Sequence, residues 1–587
     1  MRDRLQAAPT EPWALLRAAE GWLRFGAPLR TLTARAPAEA AEAVRRAAEA
    51  AHEGLWAVGW VSYEAAPGFD AALPAHTDPG FPAAWFGVFG PPEPLAEPPG
   101  AGPAPELRWA AETTPEAHQA AVRRVAEYLA SGDTYQVNLT YRMRAAGAGS
   151  PYALFRAMAA TEPPHAAYID TGRWAICSAS PELFYRQEGD LVVSRPMKGT
   201  ADRGLWPDDD ARRARELRGS EKNRAENLMI VDMVRNDLGR IARIGTVTVP
   251  HLFTTERHAG VWQLTSTVAC RTDASLEGVF AALFPAASIT GAPKRRTMQI
   301  IRELEATPRR VYTGAVGYFA PGRRARFGVA IRTALVDRRD GSAEYGVGGG
   351  IVWDSEPADE WRETLSKARV LRPAPPPFRL VETLLWDPST GLALLEGHLR
   401  RMGRSAGQLG FRFRPGNAAA TLDRACAALP PVPHRVRLLC DRSGALEVEA
   451  APLPPGPPSE WIVPAAEPVD SGDLFLYHKT TRREAYRKAT DHRPGAPDVL
   501  LTNGRGEITE TTIANVALRI GGEMLTPPVR CGLLPGVQRA AMLEAGAMRE
   551  RPITLAEALQ AGRLTLINSV RGLWEVRLLA DIPLHGA

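Results

Sequence analysis

The sequence predicts a mixed α/β protein built as two bodies. Three observations carry this. At 587 residues the chain exceeds what one hydrophobic core organises, and size alone points to about three to five folding units grouped into larger domains. A proline cluster, LRPAPPPFRL at 371–380, cannot continue a helix and forms a stiff, extended spacer. On both sides of it, strand-like apolar runs alternate with helical stretches. The expected division is a domain over 1–370, a proline-rich linker over 371–377 and a domain over 378–587.

Taken in order, the first part offers the strand-like runs LWAVGWVSY, HAAYID, WAICSA, LVVSRP and RFGVAIRTALV. Between them fall PEAHQAAVRRVAEYLA, NRAENLMIVDMVRNDL and KRRTMQIIRELE, whose apolar spacing is helical. Together they imply a large sheet with helices. The second part is also mixed, with strands such as PHRVRLLC and TLINSV and a helix over EGHLRRMGRSAGQLG. Two more proline-rich stretches, 91–106 and 451–460, mark subdomain joins or surface loops.

Composition narrows the function. Hydrophobic content of 45% and charged content of 23% are ordinary for a globular protein. The net charge of +5 is spread along the chain without a basic block, which argues against nucleic acid as a partner and suits an anionic small substrate. No run approaches membrane-spanning length, and the start, MRDRLQAAPTEPW, has no signal-peptide core. The five cysteines are scattered without metal spacing, which favours a reduced, cytoplasmic setting.

The lysines stand out. Lys198, Lys222, Lys294, Lys367, Lys479 and Lys488 are the only six among 71 basic residues. Arginine supplies charge but not a neutral amine near pH 7, so Lys198 in SRPMKGT is a candidate for amine chemistry. On a helix over 220–240, Glu226 shares a face with Met229, Ile230 and Met233, and a carboxylate there demands a cation or an internal salt bridge. The stretch 344–368 reads as a strand, a triple-glycine turn and a helix with Glu360, Glu363, Thr364 and Lys367 on one face. A solvated face with a Glu363–Lys367 pair is the plain reading. Carboxylates beside bare glycine amides instead suggest Mg²⁺ bridging an anion, since oxygen-only ligation with retained water suits that ion. Thr290-Gly291-Ala292-Pro293 adds a small-residue turn at a helix start, where anions are favoured.

SGDTYQVNLT, SASPELF, RPMKGTADR, SEKNRAENLMIVDMVRNDLGR, SITGAPK and GGGIVWDSEPADEWRET follow one another in an order that closely resembles the chorismate-utilising enzymes over about residues 60–370. That group holds the first components of anthranilate and aminodeoxychorismate synthases and the isochorismate synthases. The resemblance implies a large two-layer α/β/α sandwich and Mg²⁺-dependent chemistry on chorismate. It carries Glu226 and Glu363 over as metal ligands, with Glu360 close by. It places Arg332, Lys367 and the amides of Gly348, Gly349 and Gly350 on the substrate carboxylates, with Thr290, Gly291 and Ala292 against the substrate. Anthranilate synthases resemble RPMKGT but carry alanine where this chain has Lys198; aminodeoxychorismate synthases carry lysine. The implied mechanism is attack of Lys198 on ring C2. Relatives with a VxHL stretch have histidine where this chain has Gln263, so another acid is needed, and Glu182 is the candidate. No cysteine lies in a GxCxG nucleophile turn, so ammonia is expected from solution or from a separate glutamine amidotransferase subunit.

In the second part, Lys479 follows a short apolar run read as a strand, and Glu510 precedes Thr511, Thr512 and Asn515. A pyridoxal-phosphate (PLP) enzyme needs a lysine, an acid at the pyridine nitrogen and phosphate donors. EGHLRRMGRSAGQLGF, YHKTTRREAY, NGRGEITETTIANVAL, CGLLPGVQR and NSVRGLWEV resemble the fold-type IV PLP enzymes over about residues 378–580. The resemblance implies a two-subdomain, class IV aminotransferase-like fold. It makes Lys479 the Schiff-base and proton-shuttling residue and Glu510 the pyridinium partner. Arg401, Val537, Ser569 and Val570 would hold the phosphate, and a homodimer through this domain would fit. These motifs do not separate lyase from aminotransferase; fusion to an aminodeoxychorismate synthase favours the lyase that consumes its product. The expectation is a bifunctional enzyme making 4-aminobenzoate for folate. Its rivals are an anthranilate synthase fused to a class IV aminotransferase and a silent, chorismate-binding regulatory protein.

Overall fold

A computed structural model describes residues 12–19, 21–258, 260–371 and 377–582. The core of the expected linker, 372–376, lies outside the described residues. The chain divides into two compact units. The first comprises 1–202 with 214–375. The second comprises 376–587 together with Arg203–Arg213, eleven residues taken from within the first part of the sequence.

In the first unit two ten-stranded sheets face each other. One sheet runs from Gly291–Ala292 through Gln136–Ala145, Ser342–Ile351, Thr333–Asp337, Trp174–Ser180 and His165–Asp170 to Trp13–Ala18, Gly21–Phe25 and Glu93–Leu95. The other runs from Met197–Asp202 through Val261–Arg271, Leu191–Arg195, Leu183–Glu188, Arg324–Val329 and Ala315–Ala320 to Trp56–Val61, Ala84–Phe89 and Arg30–Ala34.

Strand alternation explains the layering. In Trp13–Ala18, Ala14 and Leu16 join Val58, Trp60 and Trp85 of the other sheet in the central core, while Leu15 turns to the outer face with Phe155. In Trp56–Val61, Ala57 and Val61 turn outward to the helices Ala40–His52 and Leu276–Leu283. Both faces of most strands are therefore apolar, which is why the sequence runs are continuous rather than alternating. The helix Glu221–Gly239 buries Ile230, Val231, Val234 and Leu238 on the second sheet. Its N-cap, Ser220, accepts from the Asn223 amide.

The second unit has a four-stranded antiparallel sheet and a larger eight-stranded one. In the first, Leu380–Asp387 and His434–Cys440 are central, covered by the helices Leu395–Leu409 and Pro415–Cys426. In the second, pairing of Ile508–Thr511 with both Val499–Thr502 and Asn515–Ile520 closes six strands into a ring. Closure leaves no open edge there and sets Glu510 directly opposite Asn515.

Two local expectations are corrected. Gly348, Gly349 and Gly350 do not form a turn; they lie inside Ser342–Ile351, paired with Thr140, Leu139 and Asn138. Glycine weakens strand propensity, but nine residue pairs in register with Gln136–Ala145 override it. The segment before Lys479 is a single 3₁₀ turn, Leu474–Leu476, rather than a strand; Asp473 caps it by accepting from the Phe475 amide. All five cysteines are free and buried, and among the described residues no helix is long and apolar enough to cross a membrane.

Candidate active sites

The first unit contains a cavity of about 350 Å³ lined by Lys198, Glu226, Glu182, Gln263, Arg332, Glu360, Glu363 and Lys367. Four elements carry five of these side chains and the cavity floor. Lys198 projects from the edge strand Met197–Asp202, and Glu226 from the helix packed on it. Glu360, Glu363 and Lys367 come from the helix Pro357–Lys367, with the shared face read from the sequence. Gly346, Gly348 and Gly350, alternate residues of one strand, form the floor. Beyond Tyr345 that strand has lost its partner Thr333–Asp337, so its polar backbone is open on that side. Lys367 uses this by donating to the Gly348 carbonyl at 2.8 Å while pairing with Glu363 at 2.7 Å.

Lys198 is held differently from Lys367. Among the described residues no hydrogen bond or ion pair reaches its amine. Burial pushes its pKa down, and Lys367 adds to that, against the pull of Glu226, Glu182 and Glu363. Gly350 makes room for it: a Cβ there would sit 2.7 Å from the Lys198 Nζ and 3.2 Å from the Gln136 amide nitrogen. Arg332 takes a left-handed backbone with φ of 50°, unusual for a non-glycine residue. Its guanidinium has no carboxylate partner among the described residues, and burial lowers its pKa. An unpaired buried cation facing a cavity is built to receive an anion.

The carboxylates differ too. Burial raises Glu182 to about 7, against the Ser288 hydroxyl, Lys198 and the Met197 amide. Burial also raises Glu226 and Glu360, and Glu360 accepts from Ser355 at 2.7 Å. Glu363 is lowered, chiefly by Lys367. Gln263 accepts from Thr200 at 3.2 Å. No three His, Cys, Asp or Glu side chains among the described residues converge closely enough to cage a metal by themselves.

Thr290, Gly291 and Ala292 are not among the lining residues. Thr290 is fully buried with its hydroxyl on the Ala286 and Ala287 carbonyls. Gly291 and Ala292 pair with Val137 and Gln136. The turn thus anchors the strand that carries Gln136 and Asn138, while its neighbours Ser288 and Ile289 reach the cavity. Sequence reasoning missed Gln136, whose buried amide has no hydrogen-bond partner among the described residues. It also missed Tyr312 and Tyr345, which line the site; the only signal available was that Gln136 sits in a recognised motif.

The second unit holds a larger cavity, about 860 Å³, lined by Arg401, Lys479, Glu510, Val537, Ser569 and Val570 among others. The strand Leu380–Asp387 clamps the lysine segment, with the Val381 amide on the Lys479 carbonyl at 2.9 Å. Burial pushes the Lys479 amine down to about 8, helped by Arg401 and Arg483 and opposed by Glu382 and Glu510. Glu510 is buried and raised to about 7. It accepts from Tyr486 at 2.7 Å, from Asn515 at 3.1 Å and from the Leu534 amide at 3.1 Å.

Arg401 is bonded to Glu382 through two nitrogens, at 3.0 and 2.6 Å, and to the Pro535 carbonyl. Burial alone would raise Glu382, but Arg401 and His398 hold it at about 2. The Val570 and Arg571 amides both donate to Asn568. Val537, a lining residue, opens the helix Val537–Glu544, whose first-turn amides have no partner within the helix. The proline-rich stretch contributes Ala451–Pro458 to the wall, so it is part of the site and not only a connector.

Residues 19–373, well over half of the chain, match the model of the chorismate binding enzymes. The chain belongs to that family. Residues 379–579 match amino-transferase class IV. An aminodeoxychorismate synthase of Streptomyces griseus is 45% identical over 43% of this chain and 35% of its own length. An anthranilate synthase component 1 of Haloarcula marismortui is 40% identical over 45% of this chain and 55% of its own. The chain therefore spans between a third and little more than half of these relatives. The crystal structure of anthranilate synthase component I from Streptococcus pneumoniae TIGR4 covers 63% of this chain and 94% of its own, with a TM-score of 0.51 at 23% identity. That likeness concerns the fold of the first unit.

Proposed function

We propose that the chain makes 4-aminobenzoate in two steps, amination of chorismate in the first unit and loss of pyruvate in the second. The observation that supports this most is the desolvated Lys198 amine, without a bond among the described residues, in a cavity that also holds Arg332 and four glutamates. The two relatives above differ little in identity, so they do not separate 4-amination from 2-amination; a nucleophilic amine at this position favours the former.

In the first step neutral Lys198 forms a bond to ring C2 as the bond from C4 to its hydroxyl breaks. Glu182, neutral below about pH 7, gives the departing hydroxyl a proton, so that water leaves. Ammonia then bonds to C4 and expels the lysine. The ammonia comes from solution or from a separate glutaminase subunit. Arg332 receives a substrate carboxylate. The donor set fits Mg²⁺: Glu226, Glu360 and Glu363 offer oxygen only, and such an ion draws its remaining ligands from water and substrate. When bound, it supplies positive charge that orients the substrate carboxylate.

In the second step PLP supplies an electron sink. Glu510, oriented by Tyr486 and Asn515, would meet its ring nitrogen, and Val537 and Ser569 would hold its phosphate. Lys479, with its amine near neutrality, takes the proton from the ring carbon that bears the amino group and returns it to the departing enolpyruvyl group. The carbon–oxygen bond breaks, pyruvate leaves and the ring becomes aromatic. Arg435 and Arg571, without carboxylate partners among the described residues, suit an intermediate with two carboxylates.

The test supplies chorismate, Mg²⁺, PLP and ammonium and identifies products by mass. 4-Aminobenzoate and pyruvate are expected; 2-aminobenzoate would make the first unit an anthranilate synthase, and no turnover would make the chain a binding protein.

A further inference from the structure

The excursion Arg203–Arg213 starts five residues after Lys198, yet it belongs to the compact unit that carries Lys479. Its own backbone is fixed from inside. Arg203 and Asp210 form a two-pronged pair at 2.7 and 2.6 Å. Asp210 also accepts from the Gly204 amide, and Asp209 from the Leu205 amide. Gly204 permits this clasp, because a Cβ there would stand 2.1 Å from the Asp210 nitrogen. Outward, Gln408 donates to the Gly204 carbonyl at 2.6 Å and Arg203 donates to the Gln408 carbonyl at 3.3 Å.

The clasped loop ends on the residues just before Lys479. Trp206 stacks on Tyr477 with centroids 5.1 Å apart and planes 25° from parallel. The Leu205 carbonyl lies 3.1 Å from His478 Nε2. A carbonyl only accepts, so Nε2 carries the proton. The other nitrogen then accepts from Ser405 at 2.9 Å. Ser405 sits one turn after Arg401 on the helix Leu395–Leu409, on the same face. One imidazole thus ties together the lysine turn, the arginine helix and the excursion. Burial holds it neutral, at about 4, with Asp210 and Arg203 acting in opposite directions.

We propose that Arg203–Arg213 is a working part of the second site: through Leu205 and Trp206 it fixes His478, which positions Lys479. This rests on the reading of Lys479 as the lysine that joins PLP. A chain segment from the first part of the sequence would then complete the second site, which gives a physical reason for the two parts to be one polypeptide.

The test uses the full chain loaded with PLP and follows two quantities, the pH midpoint of the visible PLP–lysine band and the PLP dissociation constant. His478→Phe keeps a ring of similar size but removes both hydrogen bonds. It is expected to move the midpoint by about one pH unit and weaken PLP binding roughly tenfold. His478→Gln, which restores a donor to Leu205, returns both to within about threefold of the parent. Trp206→Ala moves both in the direction of His478→Phe. Should that variant not fold, Asp210→Asn, which loosens the clasp on Arg203, is read in the same way. Arm variants that lower only the melting temperature, with midpoint and affinity unchanged, would reduce the excursion to packing and overturn the proposal. A Lys479→Ala protein that keeps the band rejects instead the reading of Lys479 on which it rests.

Discussion

Replacing Gly350 by alanine tests the first site without touching a reacting group. Gly350 lies in a strand with ordinary backbone, so the new methyl costs nothing through φ. Its nearest neighbours are the Lys198 Nζ at 2.7 Å and the Gln136 amide at 3.2 Å. The amine must retreat by about 0.7 Å to reach ordinary contact, and both neighbours are ends of flexible side chains, so they move rather than unfold the sheet. A misplacement of roughly 1 Å of a reacting atom costs about 10²-fold. Gly350→Ala should therefore lower kcat for amination of chorismate by about 10²-fold. Its Tm should stay within about 2 °C, because the substitution leaves the backbone conformation intact and even restricts the unfolded chain slightly. The assay is chorismate loss with ammonium under saturating Mg²⁺, beside a thermal melt of the same preparation. Amination within about threefold of the parent rate would show that Lys198 need not stand where the structure puts it, and the nucleophile argument would fail.

Four further outcomes are expected. Lys479→Ala accumulates 4-amino-4-deoxychorismate, seen by mass, and continued 4-aminobenzoate formation would remove the second-step assignment. Arg332→Gln raises KM for chorismate by about 10- to 100-fold, as loss of a charged hydrogen bond of roughly 1.5–3 kcal/mol implies, with a smaller change in kcat. Chelation of Mg²⁺ stops amination and leaves the second step, assayed with supplied intermediate, unchanged. The amination rate is bell-shaped in pH, because it requires Lys198 without its proton, which burial favours, and Glu182 with its own, which it keeps only below about 7. Glu182→Gln should abolish the alkaline limb, read from kcat against pH.

Much of the candidate chemistry was legible because it follows local rules. The helix Pro357–Lys367 puts Glu360, Glu363 and Lys367 on one face by its period alone, and the structure places all three on the cavity. The helix Glu221–Gly239 was equally readable as a helix from its apolar spacing, while its Ser220 cap came from the structure. The glycines of 348–350 misled, since their conformational freedom suggests a turn, whereas their partners 138–140, some two hundred residues away, make them a strand. At Thr290 to Ala292 the small residues serve a backbone contact that the sequence did not show, the close approach of Gly291 to the Gln136 carbonyl.

The sequence by itself determined which residue types are candidates for the chemistry, two lysines where arginine is the habit and carboxylates at helical spacing, and where a proline cluster interrupts the chain. Only the tertiary structure decided their states. Lys367 and Lys198 are both lysines at one cavity, but the first is bound to Glu363 and a carbonyl while the second is desolvated and has no bond among the described residues. Arg332 faces the cavity with no carboxylate partner among the described residues, whereas Arg401 is tied to Glu382. The boundary itself was also a tertiary matter, since Arg203–Arg213 packs with the second unit although it is encoded within the first. The reason is common to all three. Desolvation and pairing depend on neighbours brought from distant parts of the chain, and no local pattern records them.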